Sequence, residues 1–310
     1  MHLSARQRTM RTRRRRGYSL VELMITVTML GIIGTIVANL LMGQQRFFQR
    51  TNEQMGIRRE LRTSLSILPT ELRGIASTGG DLIAFSSTDV TFRSTLGVSL
   101  VCAKGSTTSI DIPPLGTSRT ITSSWYTMPA VGDTVFAMRS DSSGTKGDFW
   151  SAHRIVSISS SSLFCPVSAF IDAVMDLGKL RYRLGVSPAL DDSVVVSSPL
   201  RFARSAKYSL TQQPSGNYYL TRTEYLNGAW RTGVPVSGPY MAPVGANSGL
   251  SLAFYDSTGV VVASVATAAK VARMDVTLRA QGLNSSGLYG TTSTTVIDSL
   301  AMRVALRNRR

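Results

Sequence analysis

The chain has 310 residues, 43% of them hydrophobic, and a formal net charge of +16. A chain of this length can form one large domain or two small ones, and it is long enough to bury a hydrophobic core. Seven arginines and no acid lie in the first 17 residues, so removing those seven charges from +16 leaves +9. Much of the positive charge therefore belongs to the N terminus and does not by itself indicate a binding partner.

Residues 1–17 form a basic leader that is followed by a long apolar run. In the 25 residues from Tyr18 to Met42 the only charged side chain is Glu22. A helix rises about 1.5 Å per residue, so this run spans roughly 37 Å and can cross a hydrocarbon core of about 30 Å with a tilt. Because a basic flank keeps its end of a membrane helix in the cytoplasm, we predict a membrane anchor over residues 18–42 with the rest of the chain exported.

Glu22 is an unusual residue for a membrane anchor, because an isolated carboxylate at that depth costs several kcal/mol. Its partner is a cation created by cleavage, or the arginines of an uncut leader, or water at the membrane surface that the side chain reaches by snorkelling. The triplets Val37-Ala38-Asn39 and Leu41-Met42-Gly43 place large or amide side chains at positions where a signal-peptidase site requires small ones. A cut on the cytoplasmic side, after Gly17, is therefore the simplest expectation.

The heptapeptide Gly17–Leu23, Gly-Tyr-Ser-Leu-Val-Glu-Leu, resembles the type IV prepilin cleavage and methylation motif, with tyrosine where phenylalanine is commonest. The resemblance implies that a prepilin peptidase cuts between Gly17 and Tyr18 and that the Tyr18 amine is N-methylated. It also implies that the apolar helix is the filament core, through which other pilins or pseudopilins bind. Cleavage would create an ammonium at Tyr18, which Glu22 of a neighbour staggered by one turn can neutralise.

The helical pattern becomes amphipathic over residues 43–78. Apolar side chains recur at steps of three and four residues, which places one stripe on a helix: Leu61, Leu65, Leu68, Leu72 and Ile75. Pro69 is expected to kink this helix or to start a new helical piece, and Gly79-Gly80 to end it. In the anchor, Gly31 and Gly34 predict either a local bend or close packing against another helix.

Residues 79–310 are predicted to form a β-rich exported domain, because turn signals among Ser, Thr, Val and Gly replace the helical periodicity. The fold class is therefore α+β, with an antiparallel sheet and a barrel-like subdomain at about residues 81–170. We also predict a hairpin loop at Ser140–Asp148, a short helix at Phe170–Lys179 and hairpin turns at Gln213–Gly216 and Asn227-Gly228. The predicted strands are Val131–Arg139, Phe149–Ser157, Leu200–Leu210, Asn217–Leu226, Ala229–Val236, Leu250–Tyr255, Val260–Val265, Val271–Arg279 and Val296–Leu306.

The two cysteines, Cys102 and Cys165, lie in the part predicted to be exported, where a disulfide can form and persist. A bridge between them would contribute roughly 2–4 kcal/mol. The alternative is two separately buried thiols. The spacing is not that of a C-x-x-C zinc or redox motif.

Catalytic and metal-binding patterns are few in this sequence. His153 is the only histidine after residue 17, so the sequence offers few ligands for a metal cluster and only one candidate base for a Ser-His-Asp arrangement. We expect a structural role for His153. The sequence has no G-x-S-x-G elbow and no P-loop, and we predict no catalytic residue, metal or cofactor. The acidic segments Asp141–Asp148 and Asp256–Gly259 lack EF-hand spacing and are interpreted as turns.

The basic balance of the exported part permits contact with the phosphates of nucleic acid. These cations are scattered through predicted strands, so a solvated basic surface explains them equally well. The candidates are Arg201, Arg204, Lys207, Arg222, Arg231 and the tail Arg307–Arg310.

The leucine spacing near residue 61 and the segment Val304–Arg310 resemble PilW-like minor pilins and the related J-type pseudopilins. The resemblance implies a minor type IV pilin that is held in the inner membrane and assembled into a pilus at the cell surface, or initiates one, without catalysis. The alternatives are a J-type pseudopilin of a type II secretion system, a pilus-displayed adhesin or DNA-binding module, and a membrane-anchored ectodomain that keeps its leader. The large β region favours the pilus over the secretion system.

Overall fold

A computed structural model of the chain describes residues 17–114, 123–139, 149–161, 163–166, 168, 174, 179–245, 247–286 and 294–306. In these residues a long α-helix precedes a large antiparallel β-sheet, so the predicted α+β class is confirmed. The chain divides into two compact units, Met1–Asn52 with Ser286–Thr294 and Glu53–Ser285 with Thr295–Arg310. The predicted loop Ser140–Asp148 and most of the predicted helix Phe170–Lys179 lie outside the described residues.

Helix α1, Leu20–Leu72, contains both the apolar run and the amphipathic segment. It continues through Gly31 and Gly34, and an added Cβ at either glycine would meet no atom within 4 Å. Of the predicted stripe, Leu61, Leu68 and Leu72 are buried within α1 and Leu65 is half-buried, and Ile57 extends the buried face one turn earlier. The amphipathic pattern is therefore confirmed.

The C-terminal end of α1 differs from its prediction. Pro69 lies inside the last turn of α1, so the prediction that it starts a new helical piece is wrong. Proline has no N–H to donate along the helix, and α1 ends within one further turn. Gly74 and Ile75 donate to the carbonyls of Glu71 and Leu72 at 3.2 Å, which closes the helix before the limit predicted from its apolar stripe.

The strands follow α1 without another long helix in the described residues, and a 3-10 helix, Val265–Lys270, lies between β13 and β14. In chain order the strands are β1 (Leu82–Phe85), β2 (Asp89–Leu100), β3 (Ala103–Ser106), β4 (Ser109–Ile112), β5 (Ser124–Trp125), β6 (Thr134–Arg139), β7 (Phe149–Ser160), β8 (Tyr182–Ser187), β9 (Pro199–Gln212), β10 (Tyr218–Leu226), β11 (Ala229–Trp230), β12 (Val234–Tyr240), β13 (Leu250–Tyr255), β14 (Arg273–Ser286) and β15 (Thr294–Ala305).

The main path of the sheet has the order β13-β14-β12-β10-β9-β6-β7-β8-β4-β3. The other strands pair at its sides: β2 pairs with β9, β1 and β5 pair with β2, β11 pairs with β10, and β15 pairs with β14. Strands β2 and β9 pair along most of their lengths, with a register shift between Thr95 and Gly97. An added Cβ at Gly97 would overlap Ser124 and Trp125 of β5. Glycine is therefore needed where the two backbones approach each other.

The first hydrophobic core lies between the second half of α1 and the strands β1, β2, β9, β10 and β12–β15. Leu61 and Leu72 from the helix are almost fully buried in it, together with Phe92 of β2 and Val276 of β14. Removing each such side chain from water stabilises the fold by about 1.5–3 kcal/mol. The sheet and this half of α1 therefore form one packed body.

The second hydrophobic core contains side chains from β2 and β4–β9. Ile110, Val135 and Ile155 are fully buried there beside Phe202 of β9. The predicted barrel-like subdomain at residues 81–170 overlaps this core, and β8 and β9 supply further members from later in the chain. The core is therefore assembled from segments that are far apart in sequence.

The hairpin turns are confirmed, whereas one predicted strand is wrong. Asn227 and Gly228 have φ of 53° and 84°, the left-handed values that a two-residue hairpin turn requires, and they connect β10 to β11. Residues Val260–Val265 do not form a strand: Val261 makes one isolated bridge to Tyr255, and the 3-10 helix begins at Val265. Their valine-rich sequence suits a strand, but Ser264 accepts a hydrogen bond from Ala266 N–H and caps the 3-10 helix.

Candidate functional site

The predicted cleavage site lies immediately before α1. Gly17, Tyr18 and Ser19 have no regular secondary structure, and the Ser19 carbonyl accepts the first helical hydrogen bond from Leu23 N–H at 3.1 Å. The Tyr18 side chain is 81% exposed, and an added Cβ at Gly17 would meet no atom within 4 Å. The Gly17–Tyr18 peptide bond is therefore outside the helix and sterically open.

Glu22 lies in the first turn of α1, about one turn after the predicted new N terminus. Its side chain is exposed, and among the described residues no cation forms an ion pair with it. The unpaired N–H groups of a helix N terminus favour a carboxylate at this position by up to about 1 kcal/mol. The helix end thus compensates only part of the cost of a charge in a membrane, and a further partner would lower that cost.

The first half of α1 exposes a continuous apolar surface. Every side chain from Leu20 to Met42 is exposed, and the helix is long and apolar enough to cross a membrane. The hydroxyls of Thr26, Thr28 and Thr35 donate to carbonyls of the preceding turn at 2.8–3.0 Å. Because their hydrogen bonds are made within the helix, these polar groups are compatible with lipid or with a packed helix bundle.

Cys102 and Cys165 form a disulfide in the structure, with 5.6 Å between their Cα atoms. Cys102 is buried, and its N–H donates to Asp111 O of β4. The bridge ties the segment after β7 to the turn between β2 and β3. The structure therefore contains the disulfide and not two separately buried thiols.

Most of the cations that we considered for nucleic-acid contact pair with carboxylates instead. Because these charges are largely neutralised inside the fold, they offer less to a phosphate backbone than the sequence indicates. Arg231 is exposed, and the tail Arg307–Arg310 lies outside the described residues. The pairs are Arg201–Asp81 and Arg204–Asp133 at 2.8 Å, Arg222–Glu71 at 3.0 Å and Lys207–Asp89 at 3.7 Å.

Several of these pairs form one network that links α1 to the sheet. Buried Arg204 binds both carboxylate oxygens of Asp133 at 2.8–2.9 Å, and this hydrogen bonding raises the pKa of Arg204. Glu224 lies between Arg204 and Arg222, and Arg222 also binds Glu71 of α1. Burial opposes ionisation of Glu224, but the two guanidinium groups outweigh burial and lower its pKa. The last turn of α1 is therefore fixed to β10 by charge.

A cluster of hydroxyl groups also joins α1 to the sheet. Ser64, which is fully buried on the apolar stripe, contacts the hydroxyls of Ser237 and Tyr240 on β12. Ser237 and Tyr240 are themselves 2.8 Å apart. Neither this cluster nor the ion-pair network is predicted from the sequence. A serine inside an apolar helical stripe is the one local signal for the cluster, whereas the acidic partners of the arginines are distant in sequence.

The residues considered for metal or catalytic roles have structural partners. Buried His153 lies 2.8 Å from Pro188 O through Nδ1 and 2.8 Å from Ser151 Oγ through Nε2. Asp256 accepts from the N–H groups of Thr258 and Val260, as a turn carboxylate does. In the described part of the chain no three His, Cys, Asp or Glu side chains form a group that could hold a metal ion.

Comparison with known proteins identifies the N-terminal segment. Residues 12–38 match the family model described as the prokaryotic N-terminal methylation motif. No curated protein and no solved structure matches the chain significantly. The match covers Gly17, Tyr18 and Glu22 and most of the apolar run, so the chain carries a prokaryotic N-terminal methylation motif, which supports a type IV pilin-like protein.

Proposed function

We propose that the chain is a minor type IV pilin that prepilin peptidase cuts between Gly17 and Tyr18 and methylates at the new amine. The observation that carries the proposal is the methylation motif at residues 12–38 on an exposed apolar helix. The protein is held in the inner membrane by α1 and then enters a pilus at the cell surface or initiates one. Its role is structural, without a reaction of its own.

The assembly mechanism rests on one pair of charges. Cleavage leaves an ammonium on Tyr18, and Glu22 lies about one turn further along the same helix. A helix that packs beside a neighbour with a stagger of one turn brings Glu22 of one subunit to the amine of the next. Each charge is costly alone in an apolar surrounding, whereas the pair is tolerated, so the packed bundle is favoured over the isolated helix.

Two other functions compete with the minor pilin. A J-type pseudopilin of a type II secretion system would use the same N terminus, and the large β domain favours the pilus. An adhesin or DNA-binding module would use the pilin anchor for display. The ion pairs of Arg201, Arg204 and Arg222 leave fewer free cations for DNA, which weakens that second alternative.

Mass spectrometry of the N terminus tests the proposal in a cell that contains prepilin peptidase. We expect a mature chain that begins with methylated Tyr18. A matched variant, Gly17→Leu, should accumulate as the precursor, because a bulky side chain replaces the open position before the bond. A parent chain that still begins at Met1, or a Gly17→Leu chain cut at the same bond, would show that the assigned cleavage site is wrong.

A further inference from the structure

Two arginines and two phenylalanines follow the apolar run of α1 directly. Arg46 and Arg50 are four residues apart, so their side chains lie on one face of the helix. Phe47 and Phe48 are 59% and 63% exposed, and their rings meet edge-on with 6.1 Å between centroids. In the part of the chain that the structure describes, neither arginine forms an ion pair. Arg46 is exposed and Arg50 is half-buried, so the turn Arg46–Arg50 carries two cations, without an ion pair among the described residues, beside two exposed aromatic rings.

The position of this turn along α1 places it at a membrane surface when the apolar run spans the bilayer. From Glu22 to Met42 the helix rises about 30 Å, which is the thickness of the hydrocarbon core. A bilayer centred on these residues has Glu22 at one boundary and Met42 at the other. Arg46 and Arg50 then lie about 6–12 Å past the second boundary, and because helical side chains lean toward the N terminus, their guanidinium groups reach back into the headgroup layer.

The chemistry of the turn selects one kind of lipid. Guanidinium groups form charge-assisted, paired hydrogen bonds with phosphate, and two of them on one face match a headgroup with a net negative charge. Aromatic rings such as Phe47 and Phe48 are accommodated at the boundary between headgroups and acyl chains. A zwitterionic headgroup carries its own ammonium beside the phosphate and so offers less to a pair of cations.

We propose that the turn Arg46–Arg50 binds anionic phospholipid at the exported face of the membrane and holds the chain there before assembly. The inference rests on the proposed function, because it requires α1 to span the bilayer. It adds a second membrane contact to the anchor, on the side opposite the leader. Entry into a filament would then require the release of this lipid.

Lipid selectivity of the full chain tests the proposal. The chain is inserted into phosphatidylcholine nanodiscs that contain a small fraction of spin-labelled phosphatidylglycerol or, in parallel, spin-labelled phosphatidylcholine. Electron paramagnetic resonance gives the fraction of each lipid that the protein immobilises. Each arginine near an anionic surface contributes about a fivefold preference. We expect the double variant Arg46→Gln/Arg50→Gln to show a preference for phosphatidylglycerol at least fivefold lower than that of the parent chain, which carries the same leader arginines.

A matched control removes the same charge elsewhere on the helix. Arg59 and Arg62 are exposed and lie more than two turns farther along α1, so Arg59→Gln/Arg62→Gln should keep the parent selectivity. Equal selectivity in the parent and in the Arg46/Arg50 variant would overturn the proposal. An equal loss in both double variants would also overturn it, because the effect would then follow net charge and not the turn.

The outcome is separable from that of the proposed function. Cleavage at Gly17–Tyr18 plays no part in the lipid measurement, and the leader arginines are the same in all variants. A chain that is never cleaved but shows the selective loss would reject the pilin and retain the lipid site. A chain that is cleaved and assembled but shows no selective loss would support the pilin and reject the lipid site.

Discussion

Glu22 is the one charged side chain in the described apolar run and it is exposed, and in the proposed function assembly depends on it. We predict that Glu22→Gln, which keeps the shape and removes the charge, leaves cleavage unchanged and lowers incorporation into sheared filaments at least tenfold, since a loss of about 1.4 kcal/mol or more corresponds to that factor. The neighbouring amine would lose its partner. Immunoblots of filament and membrane fractions measure both results.

Thr26 offers the control, because it lies one turn further along α1, is equally exposed and bonds only to its own helix. Thr26→Val should assemble normally. Normal assembly of Glu22→Gln would refute the charge pairing and leave the carboxylate as an interfacial residue that reaches the membrane surface.

The buried pair Arg204–Asp133 makes a second prediction for single residues. Both side chains are at most 5% exposed, so removing Asp133 leaves buried Arg204 with only the longer contact to Glu224, at 3.4 Å, to compensate its charge. We expect Asp133→Ala to lower the free energy of unfolding by about 3–5 kcal/mol. Urea unfolding of the detergent-solubilised chain, followed by tryptophan fluorescence, measures the change.

The exposed pair Arg58–Asp298, at 2.9 Å, is the natural comparison. Asp298→Ala should change the free energy of unfolding by less than about 1 kcal/mol, because water screens that pair. If both substitutions cost the same, burial would not be what gives the Arg204–Asp133 pair its importance.

At the scale of elements, the sequence predicts those whose signal is local. The apolar run, the amphipathic stripe and the Asn227-Gly228 turn each depend on a few neighbouring residues, and the structure contains all three. The valine-rich segment Val260–Val265 predicts a strand, but Ser264 caps a 3-10 helix there instead. Periodicity predicts which faces are apolar, but not whether a partner strand is available.

The turn at Asn227-Gly228 gives a prediction at this scale. Gly228 has a φ of 84°, which a residue with a Cβ adopts only at a cost of about 1–2 kcal/mol. Gly228→Ala should therefore destabilise the protein by that amount, although no atom lies within 4 Å of the added methyl group. The same urea titration measures it.

Gly56 is the matched control, since an added Cβ there also meets no atom within 4 Å, but the residue is helical. Gly56→Ala should stabilise the protein by up to about 1 kcal/mol, because alanine has the higher helix propensity. If the Gly228→Ala protein is as stable as the parent, then the positive φ at this turn does not require glycine.

At the scale of the whole molecule, the sequence predicts the N-terminal site better than the β-rich domain. Gly17, Tyr18 and Glu22 fall within one short motif, so their grouping needs no knowledge of the fold. The network of Arg204 and its acidic partners is brought together by packing between segments that are distant in sequence. The sequence alone leaves those arginines open to nucleic-acid contact or to a solvated surface, whereas the fold places them beside carboxylates that neutralise their charges.

Strands β2 and β9 connect the two hydrophobic cores, and this predicts how the β-rich domain unfolds. Phe92 belongs to the first core and Leu96, farther along the same strand, belongs to the second. On β9, Tyr208 and Phe202 are divided between the two cores in the same way. Neither core can lose these strands without exposing the other. We therefore expect one cooperative transition in urea, in which tryptophan fluorescence and far-UV circular dichroism change together.

Two matched substitutions test this coupling. Leu184 in the second core and Leu278 in the first are at most 1% exposed, and truncation of either to alanine should cost about 2–5 kcal/mol. Because Trp125 lies in the second core, its fluorescence reports that core directly. Leu278→Ala, in the other core, should shift the fluorescence transition as far as the circular dichroism transition. A Leu278→Ala protein in which fluorescence keeps the parent midpoint while circular dichroism does not would show that the cores unfold independently, despite the strands they share.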